Sequence, residues 1–265
     1  MAMADKFRGK PSSGGARRRN NYWPAVGGGL VFLALWQWLA GFYQPFILPA
    51  PAEVWSRLVE FSHGGKLVDH FLMTFGEAFG GFSLAVLVAL PLSYLLARHP
   101  ALDQLITPYI VGIQAVPIVA LAPLLVIWFG FGIASKLLIA GLVAFFPILT
   151  NGVIGLREVD PALKELLVIM GAGPREIFRK LELPSALPVL FGGLKLGMTL
   201  SVIGAVVGEF SGAGKGLGYL VNFARGSFDT PLIFVALIIL ALLGIGFYLL
   251  LAGLEYWLLP WKRQR

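Results

Sequence analysis

Long uninterrupted apolar runs dominate this sequence, and several of them reach eighteen residues or more. An α-helix of about that length crosses the hydrocarbon core of a bilayer. Charged residues make up only 13% of the 265 residues, about half their share in ordinary soluble proteins. The runs are continuous and do not alternate with period two, so they predict helices and not the strands of a barrel. We therefore expect an all-α, polytopic membrane bundle.

Six candidate membrane-spanning segments follow one another along the chain. They cover residues 23–42, 71–97, 105–130, 133–156, 186–210 and 230–258. Four prolines interrupt the second, third and fourth segments, and each removes a backbone donor and should kink its helix. These prolines are Pro91, Pro117, Pro123 and Pro147. Kinked helices suit a bundle that lines a pathway better than a passive anchor.

The basic residues are distributed unevenly between the two sides that these segments would separate. Assigning successive loops to alternate sides puts fifteen Lys and Arg on the side of both termini and five on the other, with Lys195 inside the fifth segment. Cytoplasmic loops carry such an excess, so we expect both termini in the cytoplasm. This asymmetry accounts for the net charge of +7, and we expect no nucleic acid partner.

The chain is expected to divide into three parts. Residues 1–22 are polar and basic with no periodic apolar face, which is typical of a disordered tail. Residues 23–258 should form the transmembrane domain, and residues 259–265 a basic cytoplasmic C-terminus. A cleavable signal peptide is the alternative for the start of the chain. Against it, the run 23–42 is long for such a signal and no A-x-A-type cleavage site follows.

A polar insert between the fourth and fifth segments carries the strongest functional signal. An aspartate cap followed by proline, Asp160–Pro161, indicates the start of a helix, and Gly171 ends that helix. A second helix opens at Gly173–Pro174 and should close before Pro184. Two short amphipathic helices joined by a glycine turn are therefore expected, with an apolar side for the membrane surface or another protein.

The insert resembles the cytoplasmic EAA loop of permease subunits of ATP-binding-cassette (ABC) importers. That loop has Glu-Ala-Ala, three residues, Gly, nine residues and then Ile-x-Leu-Pro; here leucines replace both alanines and the isoleucine. The matching residues are Glu165, Leu166, Leu167, Gly171, Leu181, Leu183 and Pro184. The resemblance implies that residues 157–185 form a coupling loop with a pair of helices, which docks into a cleft on a separate cytoplasmic ATPase subunit.

Other segments resemble the permeases of the nitrate, sulfonate and taurine group. They are residues 47–55, residues 117–132 with their Trp-Phe-Gly-Phe-Gly sequence, and residues 208–219. The resemblance implies a non-catalytic subunit without cofactors in the bacterial inner membrane. It also implies a permease homodimer served by an extracytoplasmic solute-binding protein. Phe145–Ile148 is similar to members that handle thiamine precursors or riboflavin. We therefore expect a thiamine pyrimidine precursor or riboflavin, with sulfonate, taurine or nitrate next.

Three residues in apolar surroundings are candidates for contact with the transported solute: Gln114, Trp128 and Glu209. Each also has a structural interpretation. Gln114 can form an interhelical hydrogen bond, Trp128 can anchor at the interface, and Glu209 can cap the glycine-rich loop that follows it. Pairing of Glu209 with Lys195 is excluded on a straight helix, because fourteen residues span about 21 Å.

Catalysis by the chain itself is not expected. Gly212–Gly216 superficially matches a phosphate-binding loop, but Gly216 stands where that loop requires serine or threonine. The sequence has no cysteine, which excludes thiolate chemistry, and its histidines lie outside the segments or at their ends, so we expect no metal site. A secondary transporter or channel without an ATPase partner is the alternative function. It is disfavoured because the two halves carry no inverted repeat of broken segments.

Overall fold

The computed structural model describes residues 23–261, so the predicted tail 1–22 and residues 262–265 of the predicted C-terminal segment lie outside the described residues. All regular elements in the described range are helical, which confirms the predicted all-α class. In chain order they are α1 (Trp23–Ala40), α2 (Pro51–His63), α3 (Lys66–Arg98), α4 (Pro100–Ala115), α5 (Ile118–Phe129), α6 (Ile133–Arg157), α7 (Pro161–Ile169), α8 (Pro174–Ile177), the π-turn Phe178–Glu182, α9 (Leu183–Phe210), α10 (Leu217–Gly226) and α11 (Thr230–Leu258).

Several helices are long and apolar enough to cross a membrane. Within the described residues α3, α6, the continuous helix Pro174–Phe210 and α11 meet that condition, and the bent pair α4–α5 gives a fifth if it is one span. The apolar part of α1 is shorter, Val26–Ala40. A multi-pass membrane protein is thus confirmed, whereas the count of six spans stays a prediction.

The centre of the bundle is formed by α3, α6 and α9, with α11 packed against them. Glycines make the close approach of these helices possible. A Cβ atom at Gly204 would lie 2.6 Å from Cα of Ala140, and one at Gly81 would lie 2.5 Å from Cβ of the same alanine. Lipid supplies no hydrophobic drive between helices, so such close van der Waals packing holds the bundle together.

The third predicted segment, 105–130, is broken at Val116–Pro117, where one of the four prolines was expected to kink its helix. Helix α4 ends at Ala115, α5 begins at Ile118, and the two cross at 97°. Pro117 has no N–H to continue the hydrogen bonds of α4, and its ring disfavours a helical conformation of Val116, which is extended here. The other prolines lie inside their helices: Pro91, Pro123 and Pro147.

The prediction that the second helix of the insert ends before Pro184 was wrong. The helix that opens at Pro174 runs without interruption to Phe210. The backbone N–H of Leu183 bonds to the carbonyl of Phe178, five residues earlier. This wider π-turn accommodates the proline ring and its missing donor just where a regular α-helix would be interrupted.

Candidate functional site

Helix α7 is the exposed part of the insert, and both of its ends have a local cause. The carboxylate of Asp160 accepts a hydrogen bond from the N–H of Ala162 at 2.9 Å and so caps the first turn. At the other end Gly171 has φ +82°, a conformation that glycine adopts at no steric cost. The N–H of Gly171 bonds to the carbonyl of Val168 and that of Ala172 to Leu167, both at 2.9 Å, which is a Schellman ending.

A large apolar surface of α7 has no partner among the described residues. Leu163 is 48% exposed and Leu166 52%, while Met170 just beyond the helix is 73% exposed. Glu165 lies beside them, also exposed, and Leu167 is half-buried. We call this surface, Leu163, Glu165, Leu166 and Met170, the α7 face. An apolar patch of this kind outside the bundle is typical of a site for a partner protein.

The remaining EAA-like residues do not lie on the α7 face. Leu181 belongs to the π-turn, and Leu183 and Pro184 form the start of α9; all three are half-buried. The structure therefore divides the predicted coupling residues into an exposed group on and just after α7, which includes Gly171, and a group packed into the base of α9.

Glu182, the last residue of the π-turn, connects these two groups, and the sequence analysis did not identify it. Its side chain is 7% exposed. One carboxylate oxygen accepts from Nη2 of Arg98 at 2.5 Å, and the other lies 3.2 Å from Nζ of Lys164. Arg98 ends α3 and Lys164 belongs to α7, so the carboxylate of Glu182 joins these two helices to the π-turn at the base of α9. An acidic residue between two leucines was the only signal in the sequence, and it does not indicate the partners.

The contact between α3 and the π-turn is built from residues one helical turn apart on each side. Tyr94 packs edge-to-face on Phe178 with ring centroids 5.2 Å apart. Arg98 places its guanidinium 5.2 Å from the ring centre of Tyr94 before reaching Glu182. We call these four residues, Tyr94, Arg98, Phe178 and Glu182, the α3 joint. They fix the end of α3 to the base of α9.

A second arginine connects the other helices at this end of the bundle. Arg157, the last residue of α6, donates from Nη2 to the carbonyl of Leu96 at 2.9 Å. Its Nη1 lies 3.0 Å from a carboxylate oxygen of Asp103 in α4. The ends of α3, α4, α6, α7 and α9 are thus joined by charge-assisted contacts, which are stronger than neutral hydrogen bonds.

Glu209 lies at the opposite end of the bundle and is 1% exposed. Its carboxylate accepts the N–H groups of Gly218 and, at 3.2 Å, of Tyr219. Both belong to the first turn of α10, whose free amides favour an anion. The hydroxyl of Thr74 donates to the same carboxylate at 2.6 Å and accepts the N–H of Leu217 at 2.7 Å. Glu209 therefore caps the start of α10, the structural interpretation considered for it above.

Two further pairs of opposite charge lie among the apolar helices, one of them buried and the other partly buried. Nζ of Lys136 lies 2.8 Å from Glu77, with both side chains at most 5% exposed, and Nζ of Lys195 lies 2.6 Å from Glu255. Lys195 thus reaches α11 and not Glu209, as the length of α9 requires. Charges at such depth are costly unless they are paired, and these pairs tie α3 to α6 and α9 to α11.

Helix α2 is held against the start of α11 by a partly buried ion pair. Arg57 in α2 donates from Nε to the carboxylate of Asp229 at 2.8 Å, and that carboxylate also caps α11 by accepting the N–H of Leu232 at 3.1 Å. Hydrogen bonds to Asp229 and then Glu60 raise the pKa of the Arg57 guanidinium above its usual value. This charge pair fixes α2 to the first turn of α11.

The three predicted pathway residues do not converge. Gln114 is exposed in the last turn of α4, at the break before α5. Trp128 is 69% exposed near the far end of α5, almost the whole helix away from Gln114. Glu209 is buried at the end of α9. Of the three, only Glu209 has hydrogen-bond partners among the described residues, and Gln114 lines a cavity at the break between α4 and α5.

Comparison with known proteins places these features in a family. Residues 81–264 match the binding-protein-dependent transport system inner membrane component family. The chain is 46% identical over 245 residues to the riboflavin transport system permease protein of Chloroflexus aurantiacus, covering 91% of each. It is 35% identical over 237 residues to the formylaminopyrimidine transport permease protein of Halalkalibacterium halodurans, covering 89% of this chain and 94% of the relative. Its fold is similar to a chain of the inward-facing MetNI methionine ABC transporter, with a TM-score of 0.61 and 22% identity over 71% of this chain and 94% of the other.

Proposed function

The chain belongs to the binding-protein-dependent transport system inner membrane component family, and we propose that it is the permease subunit of an ATP-driven ABC importer. It forms the membrane pathway for a small nutrient, and a separate ATPase subunit hydrolyses the nucleotide. The observation that carries this proposal is the α7 face, an exposed apolar surface whose helix is tied by Lys164 to a buried carboxylate in the base of α9.

In the membrane the chain has six spans in this proposal. Four are the long apolar helices, the fifth is the bent pair α4–α5, and the sixth is α1, whose apolar part Val26–Ala40 is shorter. Both termini and the insert lie in the cytoplasm. The excess of fifteen basic residues over five on that side supports this orientation. The α7 face is then directed at the cytoplasm, where an ATPase subunit has access to it.

Coupling runs from the ATPase to the spans through Glu182. Closure of two ATPase subunits on ATP moves α7, and Lys164 passes this movement to the carboxylate of Glu182. Arg98 and the α3 joint then carry it to α3, while α9 follows directly because its helix is continuous with the π-turn. Such coupling needs two discrete arrangements of the spans, each favoured by a different ligand state.

Two copies of the chain surround the pathway, and a solute-binding protein delivers the solute from outside. The large exposed apolar residues of α4 and α5 support a second copy, since they extend beyond what the single chain covers: Val111, Ile113, Val119 and Ile127 are all at least half exposed. The family is named for binding-protein-dependent transport, which supports the external partner.

Riboflavin is the solute that we propose first, with a thiamine pyrimidine precursor second. The similarity of the chain to a riboflavin permease at 46% identity and to a formylaminopyrimidine permease at 35% identity supports this order. Sulfonate, taurine and nitrate come after them.

The proposal is tested by uptake of radiolabelled riboflavin in a riboflavin auxotroph that expresses the chain with its ATPase and binding protein. We expect uptake that disappears when the catalytic glutamate of the ATPase is replaced by glutamine. Uptake that continues without a working ATPase would show a secondary transporter instead.

A further inference from the structure

A cavity of about 280 Å³ opens where α4 breaks from α5. The break itself forms one wall, and α6 and α9 form the other with Val143, Phe146, Pro147 and Leu200. Phe146 and Pro147 lie near the middle of α6, which spans Ile133–Arg157. The cavity is therefore at mid-depth in the bundle, where irregular backbone is tolerated only if it is buried in protein or lines a polar cavity.

Gln114 supplies the polar side chain of this cavity. It is exposed, and no hydrogen bond joins its amide to another described residue. An amide without a partner at the depth of the hydrocarbon core is costly. A solute that pairs with this amide would remove that cost.

The backbone adds further hydrogen-bonding groups to the same space. Pro147 lacks an N–H, so the carbonyl of Val143, four residues earlier in α6, cannot receive its helical hydrogen bond. The carbonyls that end α4 and the amides that begin α5 also meet at the break. The carbonyl of Ile113 accepts the N–H of Val116 and the N–H of Ala120 bonds to the carbonyl of Pro117, while the other terminal groups have no partner within their own helices. The cavity thus offers donors and acceptors side by side.

The charge of the cavity limits what it can bind. None of the described residues that line it is charged. The negative end of α4 and the positive end of α5 lie together, so their partial charges largely cancel. A sulfonate or nitrate ion would find no cation here, whereas a neutral group with both a donor and an acceptor would be matched.

We propose that this cavity is a solute subsite that binds the amide-like edge of a flat, uncharged nitrogen heterocycle during its passage. The carboxamide of Gln114 has an acceptor oxygen beside a donor nitrogen, so it pairs in two places with a ring –CO–NH– edge. Phe146 offers an apolar ring surface beside it. This inference rests on the proposed importer function and specifies where, and by which chemistry, that importer recognises its solute.

The test uses the purified permease–ATPase complex in proteoliposomes, with the binding protein and riboflavin as the probe. Gln114→Leu keeps the size of the side chain and removes both hydrogen-bonding groups. Gln104→Leu is the matched control, because Gln104 is an exposed glutamine on the same helix outside the cavity. Uptake of riboflavin and the ATP hydrolysis stimulated by the loaded binding protein are measured for both.

We expect Gln114→Leu to lower riboflavin uptake about tenfold, the loss from leaving the solute's hydrogen bonds unmade. Stimulated ATP hydrolysis should persist, and Gln104→Leu should match the unsubstituted chain in both measurements. Equal uptake by the two variants would overturn the subsite. So would a parallel loss of uptake and hydrolysis in Gln114→Leu, since that pattern indicates a structural role.

Two outcomes with the unsubstituted chain separate this inference from the proposed function. ATP-driven uptake of taurine but not of riboflavin would agree with the importer function but contradict the proposal that the cavity binds a neutral heterocycle. Failure of the chain to assemble with an ATPase at all would instead overturn the importer function, and the subsite with it.

Discussion

Glu182 holds two cations on one carboxylate, Arg98 from α3 and Lys164 from α7, while its own side chain is 7% exposed. Desolvation of a buried carboxylate is expensive, and the two cationic partners offset that cost. The arrangement therefore depends on the charge of the side chain and not on its shape. A change of charge at Glu182 should therefore uncouple movement of the spans from ATP hydrolysis.

Replacement of Glu182 by glutamine should uncouple the transporter. The substitution keeps the size of the side chain but weakens the contact with Lys164, so movement of α7 reaches α3 and α9 less effectively. We expect solute transported per ATP hydrolysed to fall at least about threefold in proteoliposomes, since one such contact contributes roughly 1 kcal/mol. Glu176→Gln is the control, because Glu176 pairs only with the exposed Lys180 one turn away. An unchanged ratio in Glu182→Gln would contradict the assigned role.

Glu209 and Glu182 differ in how far their roles can be predicted from the sequence. Glu209 stands out because an acidic residue inside an apolar run needs a partner, and one of its two interpretations describes the observed cap of α10. Glu182 does not stand out, because its partners Arg98 and Lys164 are distant in sequence and only packing brings them together. Lys136 is one of the five basic residues assigned to the side opposite the termini, yet it is the buried partner of Glu77. Here too, packing brings together two residues that are distant in sequence.

At the scale of the elements, the end of α7 depends on a backbone conformation. Gly171 has φ +82°, and a Cβ there would meet no atom within 4 Å. A side chain at this position is therefore opposed by the backbone alone and not by crowding. The Schellman ending positions α7 relative to the helix that begins at Pro174, so strain here should alter the α7 face without affecting the bundle.

Gly171→Val should abolish coupling without preventing insertion into the membrane. A β-branched residue strongly disfavours positive φ, so α7 should lose its ending and its defined position. Gly173→Val is a matched control two residues away, because Gly173 has φ −75° and equally open surroundings. The measurement is riboflavin uptake together with the amount of permease in the membrane fraction. We hypothesise that Gly171 is the hinge of the coupling loop, and normal uptake by Gly171→Val, or by the bulkier Gly171→Arg, would refute that hypothesis.

The packing of α6 against α9 gives a second prediction at this scale. Gly204→Val would place a side chain within 2.6 Å of the Ala140 backbone, so the two helices would have to separate. We expect a loss of roughly 1–3 kcal/mol, the usual cost of overpacking, seen as a lower midpoint of thermal unfolding in detergent. Gly246→Val on α11 is the control, because a Cβ there meets nothing within 4 Å. Equal midpoints for the two variants would count against this account of the core.

Element boundaries show where local signals suffice and where they do not. The last predicted segment, 230–258, coincides with α11 because its apolar run has clear polar limits. Pro117 and Pro184 carry the same local signal, yet one breaks the chain at 97° and the other lies in a helix that continues through a π-turn. The outcome depends on packing: the π-turn is held by Tyr94 and Arg98, and such contacts cannot be read from proline alone.

At the scale of the whole molecule, the two ends of the bundle differ in character. The insert end carries an exposed apolar face and a network of ion pairs, while the opposite end is closed by the capped α10. The proposed importer function requires one end for an ATPase and the other for a binding protein. The positive-inside asymmetry agrees with the α7 face as the cytoplasmic end.

The absence of native cysteine makes the central claim directly measurable, because any introduced thiol is unique in the chain. A benzophenone maleimide is attached to Leu166→Cys on the α7 face, and in a separate variant to Ser227→Cys, an exposed residue between α10 and α11. Membranes that contain the chain and its ATPase are then irradiated. We expect a cross-linked permease–ATPase product from position 166 and none from position 227. A product from position 227, or none from a correctly inserted position 166 variant, would contradict the central claim.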